Sequence, residues 1–354
     1  MNISIINGIR IEAISACVPK YKVDNHIFGK DLFAENIDNL IKAIGVYERH
    51  ICINGSVTAL DLSIYSAKNM LKELNYNPKE FGGIVFVTLT PDNWMPNNST
   101  YVQDLLNFPR EIACIDINHA CSGYVYGLWI ASLMAKNLNK KVLLLDGDTN
   151  SYYVSPYDKA TALLFGDAGS ATIVTPTEED NNEIYFTFDT DGSNREVLII
   201  PSGGFRNRFN EDSLKYTQYE DGSKRRPIDL SMNGQEVFNY VVSYVSKFLS
   251  QFILETNHDP NSIDFLIFHQ ANAFMLRQLT RKLGFSIDKL LISIDKYGNT
   301  SSVSIPLNIS SEFKQYNNNT HKILMSGFGA GLSTCAAILN IGPYYCPGVL
   351  EYEQ

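Results

Sequence analysis

One series of elements occurs twice along this chain, and it limits the fold more than any single motif does. In the first half an apolar run, GGIVFVTLTP (Gly82 to Pro91), is followed by a polar stretch, a cysteine-bearing turn that opens a helix (HACSGYVYGLWIASLMA), and a second apolar run, KKVLLLDGD (Lys140 to Asp148). The second half reads IDFLIFHQAN, then YGNTSSVSIPLNISSEF, then HKILMSGFGAG. The spacings agree: Thr88 to Cys121 is 33 residues and His269 to Thr300 is 31, while Cys121 to Val142 is 21 and Thr300 to Lys322 is 22. Short, nearly continuous apolar strands separated by helices predict strands buried on both faces, as in a largely parallel layer covered by helices. Repetition at matched spacing predicts an internal duplication, with a seam between Ser170 and Glu183 and halves of 1–175 and 176–354. The polar segment from Gly203 to Pro227 is long for a connection in a compact domain and reads as an excursion or flap.

Composition removes several classes of function. With 45% hydrophobic and 19% charged residues in 354, the chain has ample material for a large core. A net charge of −9 and a pI near 5.2 argue against a general nucleic-acid binder. The longest uncharged apolar stretch, Ala120 to Ala135, is 16 residues, short of the ~18 that suggest a membrane span, and a buried core helix explains it better. The start alternates apolar and polar residues and lacks a basic region before a long apolar run, so no signal peptide is expected. The six cysteines form no C-x-x-C pair, which predicts reduced thiols, no zinc site and a cytoplasmic protein.

Four places can carry chemistry. Cys121, in D-I-N-H-A-C-S-G-Y, follows a short strand (Ala113 to Ile117) and precedes the uncharged helix. Unsatisfied N–H groups and the helix dipole there predict a lowered thiol pKa and a nucleophile. A small buried hydrophobe is the structural alternative. His269 emerges at the C-terminal end of the apolar run Asp264 to Phe268, where open α/β sheets place their sites, and a neutral imidazole can orient a carbonyl or exchange a proton. Asn299, in K-Y-G-N-T-S-S, follows Gly298 in a turn whose Thr-Ser-Ser run can cap the next helix. It holds in the second half the place that Cys121 holds in the first. If the halves are related by symmetry, both residues meet in one cavity. Finally, S-G-F-G-A-G-L-S, placed after a strand Lys322 to Met325, can aim backbone N–H groups at a developing oxyanion, a contribution of about 3 kcal/mol to acyl transfer. A tight turn is its structural alternative. The glycine spacing is not that of a dinucleotide site.

Together, A-C-S-G, H-Q-A-N, G-N-T-S and G-F-G-A-G resemble the β-ketoacyl-acyl-carrier-protein synthase III family of the thiolase superfamily. G-V-Y-E-R-H (Gly45 to His50), F-G-D-A-G-S (Phe165 to Ser170) and N-G-Q-E-V-F (Asn233 to Phe238) are similar to further stretches of it, so the likeness covers nearly the whole chain. The resemblance implies a duplicated, five-layered α-β-α-β-α fold of the α/β class, a homodimer, and a condensing enzyme that forms a 3-oxoacyl thioester. It implies Cys121 as the acylated nucleophile, and His269 and Asn299 as the pair that hydrogen-bonds a malonyl thioester during decarboxylation. Backbone N–H groups of Cys121 and near Ala330 become the oxyanion hole. Substrates would be phosphopantetheine thioesters, acyl-CoA or acyl-carrier protein, with no metal or redox cofactor, and Met95 would reach the acyl pocket across the dimer interface.

Two departures qualify that likeness. A Trp that stacks on the adenine of coenzyme A in members that start fatty acids is replaced by Asn39, although Lys159 retains the basic residue opposite it. An Arg of the carrier-protein surface is replaced by Phe274, leaving Arg277, Arg281 and Lys282 farther along the same predicted helix as a docking face. A specialised relative follows from these changes. An acyltransferase to an oxygen or nitrogen acceptor and a catalytically silent partner subunit remain open as alternatives. A hydroxymethylglutaryl-type synthase is disfavoured because Thr88 to Trp94 contains no Glu.

Overall fold

Consecutive residues of a strand face opposite ways, so a strand covered on both sides must be apolar throughout. The strand Phe81–Val87 shows the consequence: Val85 and Val87 face one core, while Ile84 and Phe86 face another. The strand Lys141–Thr149 divides its leucines the same way, with Leu144 in the first core and Leu143 and Leu145 in the second. In the second half Ile323 and Met325 point inward and Leu324 outward. The computed structural model describes residues 1–33, 36–53, 55–178 and 182–353.

Two sheets carry the architecture. The six-stranded sheet runs in the order Val349–Glu351, Ile9–Val18, Asp167–Pro176, Lys141–Thr149, Phe81–Val87, Ala113–Ile117. The five-stranded sheet runs Ile3–Asn7, Glu183–Thr190, Ser333–Ile341, His321–Gly329, Phe265–Phe268. The first strand of the chain thus lies beside strands of the second half, and the last beside strands of the first, so neither sheet is drawn from one side of residue 175 alone. The expected largely parallel layer is corrected: both sheets are mixed. Asp167–Pro176 is antiparallel to both of its neighbours, and in the five-stranded sheet only Phe265–Phe268 with His321–Gly329 is parallel. The strands His321–Gly329 and Ser333–Ile341 are antiparallel because a three-residue turn joins them, whereas the other antiparallel pairs of these two sheets join strands distant in the sequence.

Helices fill the space between and outside the sheets. The helix Gly123–Leu138 lies between them, with Tyr124, Leu128, Ala131 and Ala135 in the shared core, and it is the buried uncharged helix expected from the sequence. Gly123 and Gly127 let it sit close, since a Cβ at either position would fall 2.5 and 2.6 Å from a methyl of Val87. On the outer face of the six-stranded sheet, Ala59–Glu73 packs Leu60, Ile64 and Ala67 at helical spacing behind a Thr58–Asp61 capping box. Helical residues from Val241 to Ile253, with Met275, Leu276 and Leu279, cover the outer face of the other sheet. The result is five layers, helix–sheet–helix–sheet–helix, in which each fully buried Leu or Ile contributes about 1.5–3 kcal/mol.

Gly203 to Pro227 is an excursion, as expected, but a docked one. It forms a short hairpin (Thr217–Gln218 with Lys224–Arg225) held to the 155–160 loop by Arg225–Asp158 at 3.3 Å and by Lys159 Nζ donating to the Asp221 carbonyl at 2.7 Å. No helix among the described residues is long and apolar enough to cross a membrane.

Candidate active site

Cys121, His269 and Asn299 line one mostly apolar cavity of about 230 Å³. Cys121 sits in the turn just before Gly123–Leu138, and Gly123 N–H closes that turn on the Ala120 carbonyl. Its position at the helix N-terminus is as expected; its acidity is not. Burial pushes the thiol up to about 12, opposed by the Ser301 side chain and reinforced by Asp148 and Asp146. The helix end stabilises a thiolate only modestly, and here exclusion of water outweighs it. Burial thus favours the protonated thiol near neutral pH.

His269 follows the strand Phe265–Phe268, anchored by its N–H on the Ser326 carbonyl at 2.8 Å. It is 1% exposed and burial holds its pKa down to about 3, so the ring is neutral at any working pH. Nδ1 lies 3.1 Å from the Ser301 carbonyl and 2.8 Å from the Ser304 hydroxyl, which leaves Nε2 for the cavity.

Asn299 is fixed by its backbone and side chain alike. Its N–H donates to the Leu164 carbonyl at 2.8 Å, and its carbonyl accepts from Gly166 N–H at 3.0 Å. This explains why F-G-D-A-G-S and K-Y-G-N-T occur in one chain: a Cβ at Gly166 would fall 2.1 Å from the Tyr297 carbonyl oxygen, and Gly298 turns at φ +72°. The Thr-Ser-Ser run does not cap the next helix by side chain, which corrects the expectation. Its task is different. Ser301, itself left-handed at φ 57°, donates its N–H to Asn299 Oδ1 at 2.9 Å, which commits the Asn299 Nδ2 donors to the cavity side.

The fourth motif is corrected in place. The strand His321–Gly329 runs through Ser326, Gly327, Phe328 and Gly329, because pairing with Ser333–Ile341 continues to Gly329. A Cβ at Gly329 would meet Cys121 Cβ at 2.8 Å and Sγ at 3.1 Å, so only glycine lets this backbone approach the sulfur. Gly329 lines the cavity, and Ala330 does not.

The remaining candidates scatter. Lys159 lines the cavity mouth with Leu40, Met232 and Phe238, its ammonium held by the excursion. Asn39 is exposed on the helix Ile37–Ile44 one residue from Leu40. Arg277, Arg281 and Lys282 are exposed on Ala273–Lys282, outside the cavity, with Phe274 stacked on Phe238 at 5.8 Å. Met95 is 86% exposed and lies outside the cavity of its own chain. Sequence reasoning missed Ser301, Ser304 and the buried pair Asp146 and Asp148; for the serines the available signal was the density of hydroxyls after Asn299. Among the described residues no group of three His, Cys, Asp or Glu is arranged to hold a metal.

Known proteins match this chain along nearly its whole length. A family model described as 3-oxoacyl-[acyl-carrier-protein] synthase III matches residues 115–192, and that of its C-terminal part matches residues 253–341. A putative 3-oxoacyl-[acyl-carrier-protein] synthase 3 of Campylobacter jejuni is 32% identical over 360 residues, spanning 98% of this chain and 97% of the relative. The chain belongs to the 3-oxoacyl-acyl-carrier-protein synthase III family. A β-ketoacyl-[acyl-carrier-protein] synthase III of Clostridium botulinum is also 32% identical, over 88% of this chain and 93% of its own. The crystal structure of a 3-oxoacyl-(acyl-carrier protein) synthase from Burkholderia xenovorans superimposes with a TM-score of 0.92 at 33% identity, covering 99% of both chains. The five layers are the thiolase fold of this family, and the chain is a condensing enzyme, as the resemblance implied.

Proposed function

We propose that this enzyme acylates Cys121 from a phosphopantetheine thioester and then condenses that acyl group with a malonyl-carrier protein, releasing carbon dioxide and a 3-oxoacyl thioester. The observation that carries the reading is the convergence of a thiol, a neutral imidazole and an amide with its oxygen tied back by Ser301 in one apolar cavity. In the first half-reaction Cys121 Sγ attacks the acyl carbonyl, and the thiol proton ends on the departing pantetheine sulfur. In the second, the bond from the malonyl carboxylate carbon to Cα breaks and its electron pair moves into the thioester enolate. His269 and Asn299 Nδ2 stabilise the enolate oxygen. The enolate carbon attacks the acyl-cysteine, whose transient oxyanion lies by the N–H of Cys121 and the Gly329–Ala330 backbone, and the Cys121 thiolate leaves and takes one proton from solvent. Every step uses the chain's own groups, the substrates and solvent, so the reaction as written calls for no metal or redox cofactor.

The surface supports the finer assignments. Arg277, Arg281 and Lys282 stand exposed beside the mouth and form no ion pair among the described residues, which suits an acidic carrier protein. A homodimer is favoured by the unpaired edge strand Ala113–Ile117, with Ile115 41% exposed, and by Trp94, 73% exposed, beside Met95. Met95 then lies where it can enter a partner's acyl pocket. The six unpaired cysteines accord with a cytoplasmic setting. The exposed Asn39 and the tethered Lys159 leave the mouth without an aromatic clamp, which favours carrier-borne donors and a specialised pathway.

Intact-protein mass spectrometry tests this. The native protein is exposed to acyl-CoA or acyl-carrier protein and then to malonyl-carrier protein, with Cys121→Ala as control. Acyl mass on Cys121 that disappears as carbon dioxide and a chain-extended thioester form is the expected result. Acyl mass that malonyl-carrier protein leaves in place but a small alcohol or amine removes reassigns the chain as an acyltransferase, and no acylation by any donor reassigns it as a silent subunit.

A further inference from the structure

A neutral imidazole carries one N–H, and the nitrogen that carries it decides whether His269 offers the cavity a donor or a lone pair. Two partners of Nδ1 make opposite demands. The Ser301 carbonyl at 3.1 Å can only accept, and so calls for a proton on Nδ1. The Ser304 hydroxyl at 2.8 Å can accept or donate.

The direction of that hydroxyl is set by its other neighbour. Gln270 N–H donates to Ser304 Oγ at 3.1 Å. Gln270 is itself clamped, with its Nε2 donating to the Phe268 carbonyl at 2.8 Å and its Oε1 accepting from Ser293 N–H at 3.0 Å. His269, Gln270 and Ser304 are all buried. Among the described residues Nδ1 is the one group in reach that can accept the Ser304 hydroxyl hydrogen. A proton on Nδ1 would leave that hydrogen unpaired in a buried site, a costly arrangement. The chain Gln270 N–H to Ser304 O–H to His269 Nδ1 satisfies its three members and runs in one direction, so its bonds reinforce each other, and the Ser301 carbonyl, left facing a lone pair at 3.1 Å, keeps a donor in the Ser304 N–H.

We propose that Ser304 is a positioning residue that holds His269 as the Nε2–H tautomer, so that the ring presents a donor to the substrate carbonyl. Removal of the hydroxyl hands an Nδ1 proton to the Ser301 carbonyl, and Nε2 then turns a lone pair toward the cavity. This deepens the condensation reading and rests on it. The consequence is unequal for the two half-reactions: an enolate oxygen facing a lone pair loses its donor, whereas thioester exchange at Cys121 does not depend on it.

The test reads the tautomer and the half-reactions separately. Two-bond proton–nitrogen correlation on histidine-labelled enzyme, with the His269 signals assigned by their absence in His269→Ala, reports the tautomer. A protonated Nε2 in the native enzyme and a protonated Nδ1 in Ser304→Ala are expected. Carbon dioxide release by Cys121-acylated Ser304→Ala falls roughly 100-fold, the usual loss for one such donor, while Cys121 acylation stays near the native rate and Ser304→Thr restores release. A native ring protonated at Nδ1, a Ser304→Ala ring still protonated at Nε2, or a parallel fall in both half-reactions overturns the proposal. The native spectrum decides even if Ser304→Ala does not fold. A native enzyme that releases no carbon dioxide from malonyl donors sinks the condensation reading instead, and leaves the tautomer test standing.

Discussion

The floor of the cavity and its mouth follow different rules. At the floor, Asn299 is held by backbone groups of Leu164, Gly166 and Ser301, and His269 by the Ser326 carbonyl and the Ser304 hydroxyl. At the mouth, Asn39, Phe274, Arg277 and Arg281 stand exposed on helix surfaces, and Lys159 is tied to an excursion. A floor residue substituted here loses contacts with several groups at once, whereas the exposed mouth residues can be exchanged one at a time. The difference means that the proposed chemistry and the choice of donor can be tested by separate substitutions.

The floor gives the largest expected effects. Cys121→Ala abolishes acyl mass gain. His269→Ala and Asn299→Ala each still acylate Cys121 but lose about 10²–10³-fold in carbon dioxide release, the range for removing one oxyanion-type donor. Quenched-flow measurement of the two half-reactions checks this, and a parallel loss of acylation in Asn299→Ala would break the division between nucleophile and enolate donors.

At the mouth, charge should matter for carriers and not for small donors. Arg277→Glu with Arg281→Glu is expected to lower kcat/KM for carrier-borne substrates about tenfold, more at low salt, because the two share a helix face and act by steering. A small pantetheine-like thioester should react unchanged. Equal losses for both donors would place these arginines in structure rather than docking. A smaller effect is expected of Asn39→Trp, which adds an aromatic face beside the entrance. It should lower KM for acyl-CoA roughly threefold with kcat unaltered, as befits one stacking contact of about 0.5–1 kcal/mol. An unchanged KM would show that the Lys159 tether, and not the missing ring, limits coenzyme binding.

The same contrast explains what could be read from the sequence. The strand Phe265–Phe268 and the helix after Cys121 were legible because burial leaves an unbroken apolar run. Cys121 and His269 were legible because each sits at the end of such a run, and Asn299 because its place in the second half matches that of Cys121 in the first. Strand direction was not, since an apolar run looks alike in parallel and antiparallel pairing. The thiol's acidity was misread because a helix end is visible in sequence, whereas the depth of its burial is not. Ser304 escaped notice because its role depends on a hydroxyl direction that only the Gln270 contact fixes.

The smallest expected effect lies beneath the floor, where two buried carboxyls share one hydroxyl. Ser302 Oγ donates to Asp146 Oδ1 at 2.6 Å and lies 3.3 Å from Asp148 Oδ2. Asp148 also accepts from Leu89 N–H at 2.7 Å, whereas Asp146 Oδ2 has no hydrogen-bond partner among the described residues. Burial first, and then the neighbouring Asp148, holds the Asp146 pKa well above the usual carboxylate range, and burial raises Asp148 to about 6. The folded protein therefore keeps a proton on Asp146 that the unfolded chain releases above about pH 4. Folding stability falls as pH climbs through that window, since the folded state binds the extra proton. Asn at this position is neutral in both states and removes the cost, so Asp146→Asn should gain Tm over the native enzyme by an amount that is absent near pH 3.5 and grows toward pH 8. His269 works in the opposite direction in both proteins, losing stability as pH falls from about 6.5 toward 3, and cancels in the difference. A second readout separates a neutral Asp146 from a charged one. If the carboxyl is already protonated, Asn removes no negative charge beside Cys121, and alkylation of that thiol by iodoacetamide at pH 8 keeps its native rate. Faster alkylation in Asp146→Asn would mean that an ionised carboxylate had been holding the thiol proton in place.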